Sequence, residues 1–312
     1  MLRRHLLAAP LALAAAPARA AWPEQPLRIV VPYPAGGAVD VMLRVVLPRL
    51  SERLGQAVVV DNRAGANANL GPDHVSKARP DGYTLLASAT YLVLNPLLQD
   101  ELSWKPTDFR PVARLTQTPN LFVVAAGSPW RSLGDFVAAA RARPGLAVAS
   151  SGPGAPQSMV QELLRVRAGL DFTLVPYRGA PPAMTDILNG TVEMGVMPLG
   201  AVQGMLQGGQ LRALAVAGAR SPLLPQVPST AEAGYPDIVV ESWYGLHAPA
   251  GTDAGIVRAL AAAAREATAD AEVRAMAARA GGEAAFLETA DFSAFLAADH
   301  ARWATTVSAL RR

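Results

Sequence analysis

The 312-residue chain contains no cysteine. That absence excludes disulfides, thiolate nucleophiles and cysteine metal sites, and it leaves no thiol to carry a lipid anchor. Lysine is scarce: Lys77 and Lys105 are the only two, so Schiff-base chemistry has few candidates. Beyond residue 20 the histidines are His74, His247 and His300, far apart and without metal-ligand spacing. There is no Gly-x-Ser-x-Gly elbow and no phosphate loop ending in Gly-Lys-Ser/Thr. Gly152-Pro153-Gly154 starts a Gly-x-Gly, but Gln157 stands where a dinucleotide loop has its third glycine. The expectation is a protein that binds without reacting, with no catalytic residue, cofactor or metal.

Aromatics make up only 6% of a chain that is 51% hydrophobic, so alanine, leucine and valine carry the packing. The length suits two domains better than one. Residues 1–20 read as a signal peptide: Arg3, Arg4 and His5 precede an apolar run from Leu6 to Ala16, and Ala18-Arg19-Ala20 fits a small-x-small cut after Ala20. Without the three arginines of that leader, 25 basic residues face 25 acidic ones. The basic pI of about 9.5 therefore gives no reason to expect a nucleic-acid partner. No later stretch is apolar enough to span a bilayer, and the expectation is a monomer free in the periplasm.

Apolar runs alternating with helical patterns indicate an α/β fold. Strands are expected at Leu27–Val31, Ala57–Asp61, Tyr83–Ala87, Asn120–Ala126, Leu146–Ala149, Phe172–Val175, Val192–Met197, Leu211–Ala217 and Val239–Ala248. A helix is expected from Ala38 to Leu54, kinked or cut short at Pro48. Asn95 to Pro111 reads as irregular. Ser229 and Glu232 form a capping-box pattern for a one-turn helix. The strand at Leu211–Ala217 is expected to run back to the first domain, with Ser221–Pro228 as the crossover. Domain 1 then comprises 21–122 and 222–312, and domain 2 is inserted at 123–221. Two connections between lobes make a hinge.

Small residues at strand-to-helix turns expose unpaired N–H groups at the positive end of the helix dipole, a place for anions. Tyr33-Pro34-Ala35-Gly36-Gly37 is such a turn, although its glycines could serve only to make the turn. Asp40, in the first helical turn, either stabilises the dipole or accepts from a ligand amine or hydroxyl. Two second-domain turns have the same character: Ser151 through Gly154 and Ala155, and Tyr177-Arg178-Gly179-Ala180-Pro181. Arg178 could pair with a carboxylate or stay solvated. Ser88, Thr90 and Ser151 are either contacts to the distal end of a ligand or local capping hydroxyls.

The order and spacing of these segments resemble the Bug family, periplasmic binding components of tripartite tricarboxylate transporters. The resemblance runs from Trp22-Pro23 through Pro26 to Gly37 and Asp40. It continues at Asn62-Arg63, Pro80-Asp81-Gly82-Tyr83, Val175 to Gly179, Leu211 to Val216 and Ala248 to Thr252. It implies a two-lobed periplasmic-binding-protein type II (Venus flytrap) fold. It also implies a small organic acid held by one carboxylate between the Pro34–Gly37 and Tyr177–Pro181 loops, and inner-membrane transporter subunits as partners. Where family members carry His-Leu after the second Gly-rich loop, this chain has Ser158-Met159, so one pocket wall differs. The alternatives are a ligand-sensing protein for a membrane receptor and an exported hydrolase on the same scaffold.

Overall fold

The computed structural model describes residues 22–151, 155–177 and 180–311. The signal-peptide reading, Gly154, Arg178 and Gly179 fall outside them. Three parallel strands open the first sheet: β1 (Leu27–Val31), β2 (Val58–Asn62) and β3 (Thr84–Ser88), in the order β2-β1-β3. Next comes β4 (Phe109–Ala125), a strand of 17 residues that serves two sheets. The second sheet adds β5 (Leu146–Ser150), β6 (Phe172–Pro176), β7 (Met194–Pro198) and β8 (Leu211–Val216). The chain returns to the first sheet with β9 (Glu241–Pro249), antiparallel to both β3 and β4, and β10 (Glu283–Leu287), antiparallel to β4.

The change of sheet occurs between two neighbours on β4. Pro119 pairs with Glu241 of β9, and Asn120 pairs with Pro198 of β7. Beyond Asn120, β4 is antiparallel to β7 and β8, while β5 lies parallel to β6 and β7. Two prolines and two register shifts interrupt β4, which hides its first half from a pattern-based reading. Each proline removes a ladder donor, and each bulge breaks the alternation.

The helices are α1 (Ala38–Leu54), α2 (Leu70–Ser76), α3 (Tyr91–Leu98), α4 (Leu133–Ala142), α5 (Pro156–Ala168), α6 (Ala180–Asn189), α7 (Leu199–Gln207), α8 (Ala254–Ala269), α9 (Ala271–Arg279) and α10 (Thr289–Leu310). Helix α1 runs through Pro48 to a left-handed cap at Gly55, where the sequence suggested a kink or stop. Val46, Leu47 and Leu50 stay buried on the same core, and that burial carries the helix past the lost hydrogen bond. Helix α3 was not expected, and its last four residues, Asn95 to Leu98, overlap the stretch expected to be irregular. Tyr91 through Asn95 are all buried, so no polar face gives the segment a helical period. Strand β10 also goes unannounced, because all five of its residues are half-buried and do not alternate.

Ser221–Pro228, expected as the crossover, does not cross to the first sheet. Strand β8 stays on the second sheet, paired with Leu121–Ala125. The following segment folds back onto it: the Val216 N–H donates to Pro228 O, Thr230 N–H to Val216 O and Val240 N–H to Ala217 O. Leu223, Leu224 and Val227 pack with the second-sheet core. The chain therefore returns to the first sheet at Val240–Ser242. The Ser229–Glu232 capping bonds do form, but they close turns rather than a helix.

Candidate ligand-binding cleft

The loop after β1 is shaped by a buried carboxylate. Asp40 is 1% exposed. Its Oδ2 accepts from the Gly36 N–H at 2.9 Å and from Arg44 Nε at 2.8 Å, and its Oδ1 accepts from Asn62 Nδ2 at 3.0 Å. The same Asn62 amide donates to Tyr33 O. Burial pushes the Asp40 carboxyl upward, but the hydrogen bonds from Arg44, Gly36 and Asn62 and the Arg44 charge outweigh it and hold the group below the usual carboxylate range. Gly36 sits at φ +80°, a conformation glycine takes freely. The Gly37 N–H turns back to Pro34 O.

Pro34, Ala35 and Gly36 are consequently exposed, and Tyr33 and Gly37 are half-buried. Gly37 caps α1 without a side chain, and the first helical bond there runs from Val41 N–H to Gly37 O. The N–H groups of Ala38, Val39 and Asp40 have no carbonyl behind them in the helix. Arg44 neutralises Asp40, so the field at this end is that of the helix dipole and its free donors. Asp40 is thus placed to shape the loop, with its oxygens already committed.

Ser88 and Thr90 close the neighbouring turn after β3. The Ser88 hydroxyl lies 2.7 Å from His247 Nδ1, and both residues are buried. Desolvation lowers the His247 pKa to about 3. A Ser–His contact is the start of a nucleophile–base pair, but this one is sealed from solvent and its base is a weak one. The imidazole also packs against the Phe292 ring, with centroids 5.3 Å apart. Thr90 is 2% exposed and its carbonyl starts α3. The Tyr33 ring meets Tyr91 edge-on at 5.9 Å, which ties the two turns together.

The second sheet presents its own pair of loops. Tyr177 N–H donates to Ser150 O, which joins the turn after β6 to the turn after β5. Ser151 and Pro181 are exposed, whereas Ala155, Tyr177 and Ala180 are half-buried. Ser158 is buried, with its hydroxyl 2.8 Å from that of Ser150. The Tyr177 hydroxyl donates to Asp186 at 2.6 Å, and desolvation followed by that carboxylate pushes its pKa up to about 12.

Sequence reasoning assigned no role to three residues that organise these loops. Asn62 and Arg44 hold Asp40; an amide at the end of the strand beside β1 was the available signal. Asn120 is the third. Its Oδ1 accepts from Gln157 Nε2 at 2.9 Å, and its Nδ2 donates to Ser242 Oγ at 3.0 Å and Val240 O at 3.2 Å.

Both sets of turns leave the carboxyl ends of parallel strands, where open α/β sheets bind ligands. Two α/β lobes joined through β4 and the Val240–Ser242 segment define the class of two-lobed solute-binding proteins. Residues 42–311 match the family described as the tripartite tricarboxylate transporter family receptor. The chain belongs to that family. It is 37% identical over 293 residues to protein BugT of Bordetella pertussis, covering 92% of this chain and 89% of BugT. The solved structure of R. palustris Rpa4515 with adipate matches with a TM-score of 0.85 and 32% identity, over 93% of this chain and 98% of that one. MatC from Rhodopseudomonas palustris with bound malate matches with a TM-score of 0.79 and 29% identity, over 92% and 100%. Among the described residues no helix is long and apolar enough to cross a membrane.

Proposed function

We propose that this protein captures a small di- or tricarboxylate between its two lobes and presents it to inner-membrane transporter subunits. The observation that carries the reading is the Tyr33–Gly37 loop, locked by Asp40 so that the free N–H groups opening α1 stand beside exposed small residues. One ligand carboxylate sits there. The Ser151–Ala155 and Tyr177–Pro181 turns reach it from the other lobe, with Ser158 and Thr90 toward the far end. Adipate and malate on structural relatives support the acid class. Export to the periplasm, cleavage after Ala20 and a monomeric state belong to the same reading. So does a division into 21–122 with 222–312 against 123–221, adjusted so that 222–240 rides with the second lobe.

The test is thermal denaturation of ligand-stripped protein against dicarboxylates, tricarboxylates, acidic amino acids and aromatic acids. A true ligand stabilises by RT ln(1 + [L]/Kd), about 2.7 kcal/mol at a hundred times Kd. The melting temperature should therefore climb with the logarithm of ligand concentration. Absence of any shift with every acid would sink the proposal.

A further inference from the structure

Ala66, Asn67 and Ala68 occupy left-handed backbone in succession, with φ of 47°, 53° and 67°, after Gly65 at φ 136°. L-residues visit this region singly, not in runs. Such strain persists only where surrounding structure over-determines it, and it concentrates at ligand-gripping sites.

Here the surroundings do fix it. Asn95 Nδ2 donates to Asn67 O at 2.8 Å and to Asn69 Oδ1 at 2.9 Å. Trp104 Nε1 donates to the same Asn69 Oδ1, and Asn69 Nδ2 donates to Gln99. Asn95 and Trp104 are 5% and 2% exposed. Asn95 thus holds the turn directly, and its bond to Asn69, itself fixed by Trp104 and Gln99, ties it to the start of α2.

The turn follows β2, the strand beside β1, so it occupies the same carboxyl edge as the Tyr33–Gly37 loop. Arg63 N–H donates to Val31 O. Gly71 packs so tightly on Pro32 that a Cβ there would fall 2.7 Å from the proline Cβ. Asn67 itself is exposed. Its backbone carbonyl is anchored, while its side-chain amide makes no hydrogen bond to any described residue. Ser88, at the carboxyl end of β3, is already committed to His247.

We infer that Asn67 is a ligand contact, its side-chain amide hydrogen-bonding the polar end of the ligand remote from the α1 N-terminus. This rests on the carboxylate-capture reading. A primary amide offers both a donor and an acceptor, so it accommodates a second carboxylate or a hydroxyl without adding charge.

Glycine takes left-handed backbone freely, so Asn67→Gly removes the amide while leaving the turn available. Titration calorimetry would compare wild type, Asn67→Gly and Asn67→Asp on straight-chain dicarboxylates, on malate and on monocarboxylates of matched length. Asn67→Gly should weaken the best diacid at least tenfold and the matched monoacid less than twofold, with the unliganded melting temperature unchanged or raised. Asn67→Asp should weaken the diacid further, and added salt should recover part of that loss. Diacid affinity of Asn67→Gly within twofold of a wild type that binds normally would overturn the inference alone. A wild type that binds monocarboxylates but no diacid or tricarboxylate would overturn this inference alone, and one that binds no acid at all would overturn the carboxylate reading with it.

Discussion

Gly200 of α7 and Gly281, which follows α9, meet backbone to backbone where the second lobe touches the first. A Cβ on Gly200 would fall 2.5 Å from Ala280 O, and one on Gly281 would fall 2.4 Å from both the N and the Cα of Gly200. Gln203 Nε2 reaches Ala278 O beside this contact. The close approach lies near the change of sheet on β4, because α7 begins directly after Pro198, the partner of Asn120. On the proposed two-lobe reading, a rotation of the lobes would turn about this side-chain-free contact.

Gly200→Ala separates that contact from helix stability. Alanine at a helical position favours the helix by about 0.5–1 kcal/mol over glycine. The new methyl nevertheless cannot coexist with the Ala280 carbonyl, so the lobes must part. The expected result is a larger radius of gyration by small-angle scattering. Ligand affinity should drop about tenfold, or about 1.4 kcal/mol, with little loss in melting temperature. Unchanged scattering together with unchanged affinity would refute the pivot.

Asp40→Ala strands three donors at once: the Gly36 N–H, the Asn62 amide and the Arg44 guanidinium. The expected loss is about 2–4 kcal/mol in urea unfolding, together with loss of ligand binding. Asp40→Asn should fall between, since its amide nitrogen meets a donor. The folded carboxyl is depressed below its ordinary value. Its contribution is therefore complete above about pH 4 and fades as the pH falls through the folded pKa. Binding that survives Asp40→Ala unaltered would remove the loop from the site.

The loop itself was legible in the sequence, and its organisation was not. Pro34 to Gly37 announce a strand-to-helix turn with room for an anion. Asp40, read from position alone, could equally face the ligand or the dipole. Only the fold shows its oxygens filled by Asn62 from an adjacent strand and Arg44 one turn on. Contacts at that separation have no local signature. The same reason hid the second crossing of the chain: Ser221–Pro228 has the composition of a linker, but its Pro228 carbonyl pairs with Val216 of β8 and its leucines find an apolar surface. Strand β4 escaped in part because Pro111 and Pro119 punctuate it, and helix α3 because burial on all sides erases periodicity.

His247 should make the protein acid-sensitive well above the carboxylate range. Its pKa falls from an unfolded value near 6.5 to about 3 through desolvation. Between those values the unfolded chain binds a proton that the folded chain does not, so stability drops as pH decreases, by at most about 1.4 kcal/mol per pH unit. At pH 4.5 this amounts to about 2–3 kcal/mol relative to neutral pH. Urea midpoints measured from pH 7 to pH 4.5 should show that slope in wild type and a flatter one in His247→Gln, whose amide can still meet Ser88. Equal slopes would mean that His247 does not titrate as its burial requires.

Asn120 links the start of α5 to the segments that cross between lobes. Gln157, in the first turn of α5, donates to it, and it donates in turn to Ser242 and Val240 at the return crossing. Asn120 is fully buried, so Asn120→Ala leaves at least two polar groups unsatisfied and should cost about 2–4 kcal/mol of stability. Gln157→Met is the more informative change. Gln157 is only half-buried and methionine preserves its length, so stability should fall by about 1 kcal/mol or less. If the chain of bonds transmits ligand contact at α5 to the crossing, hydrogen exchange at residues 117–121 and 240–242 slows on ligand binding in wild type. The same amides should lose most of that ligand-dependent protection in Gln157→Met. Full protection in the variant would show that the crossing senses the ligand by another route.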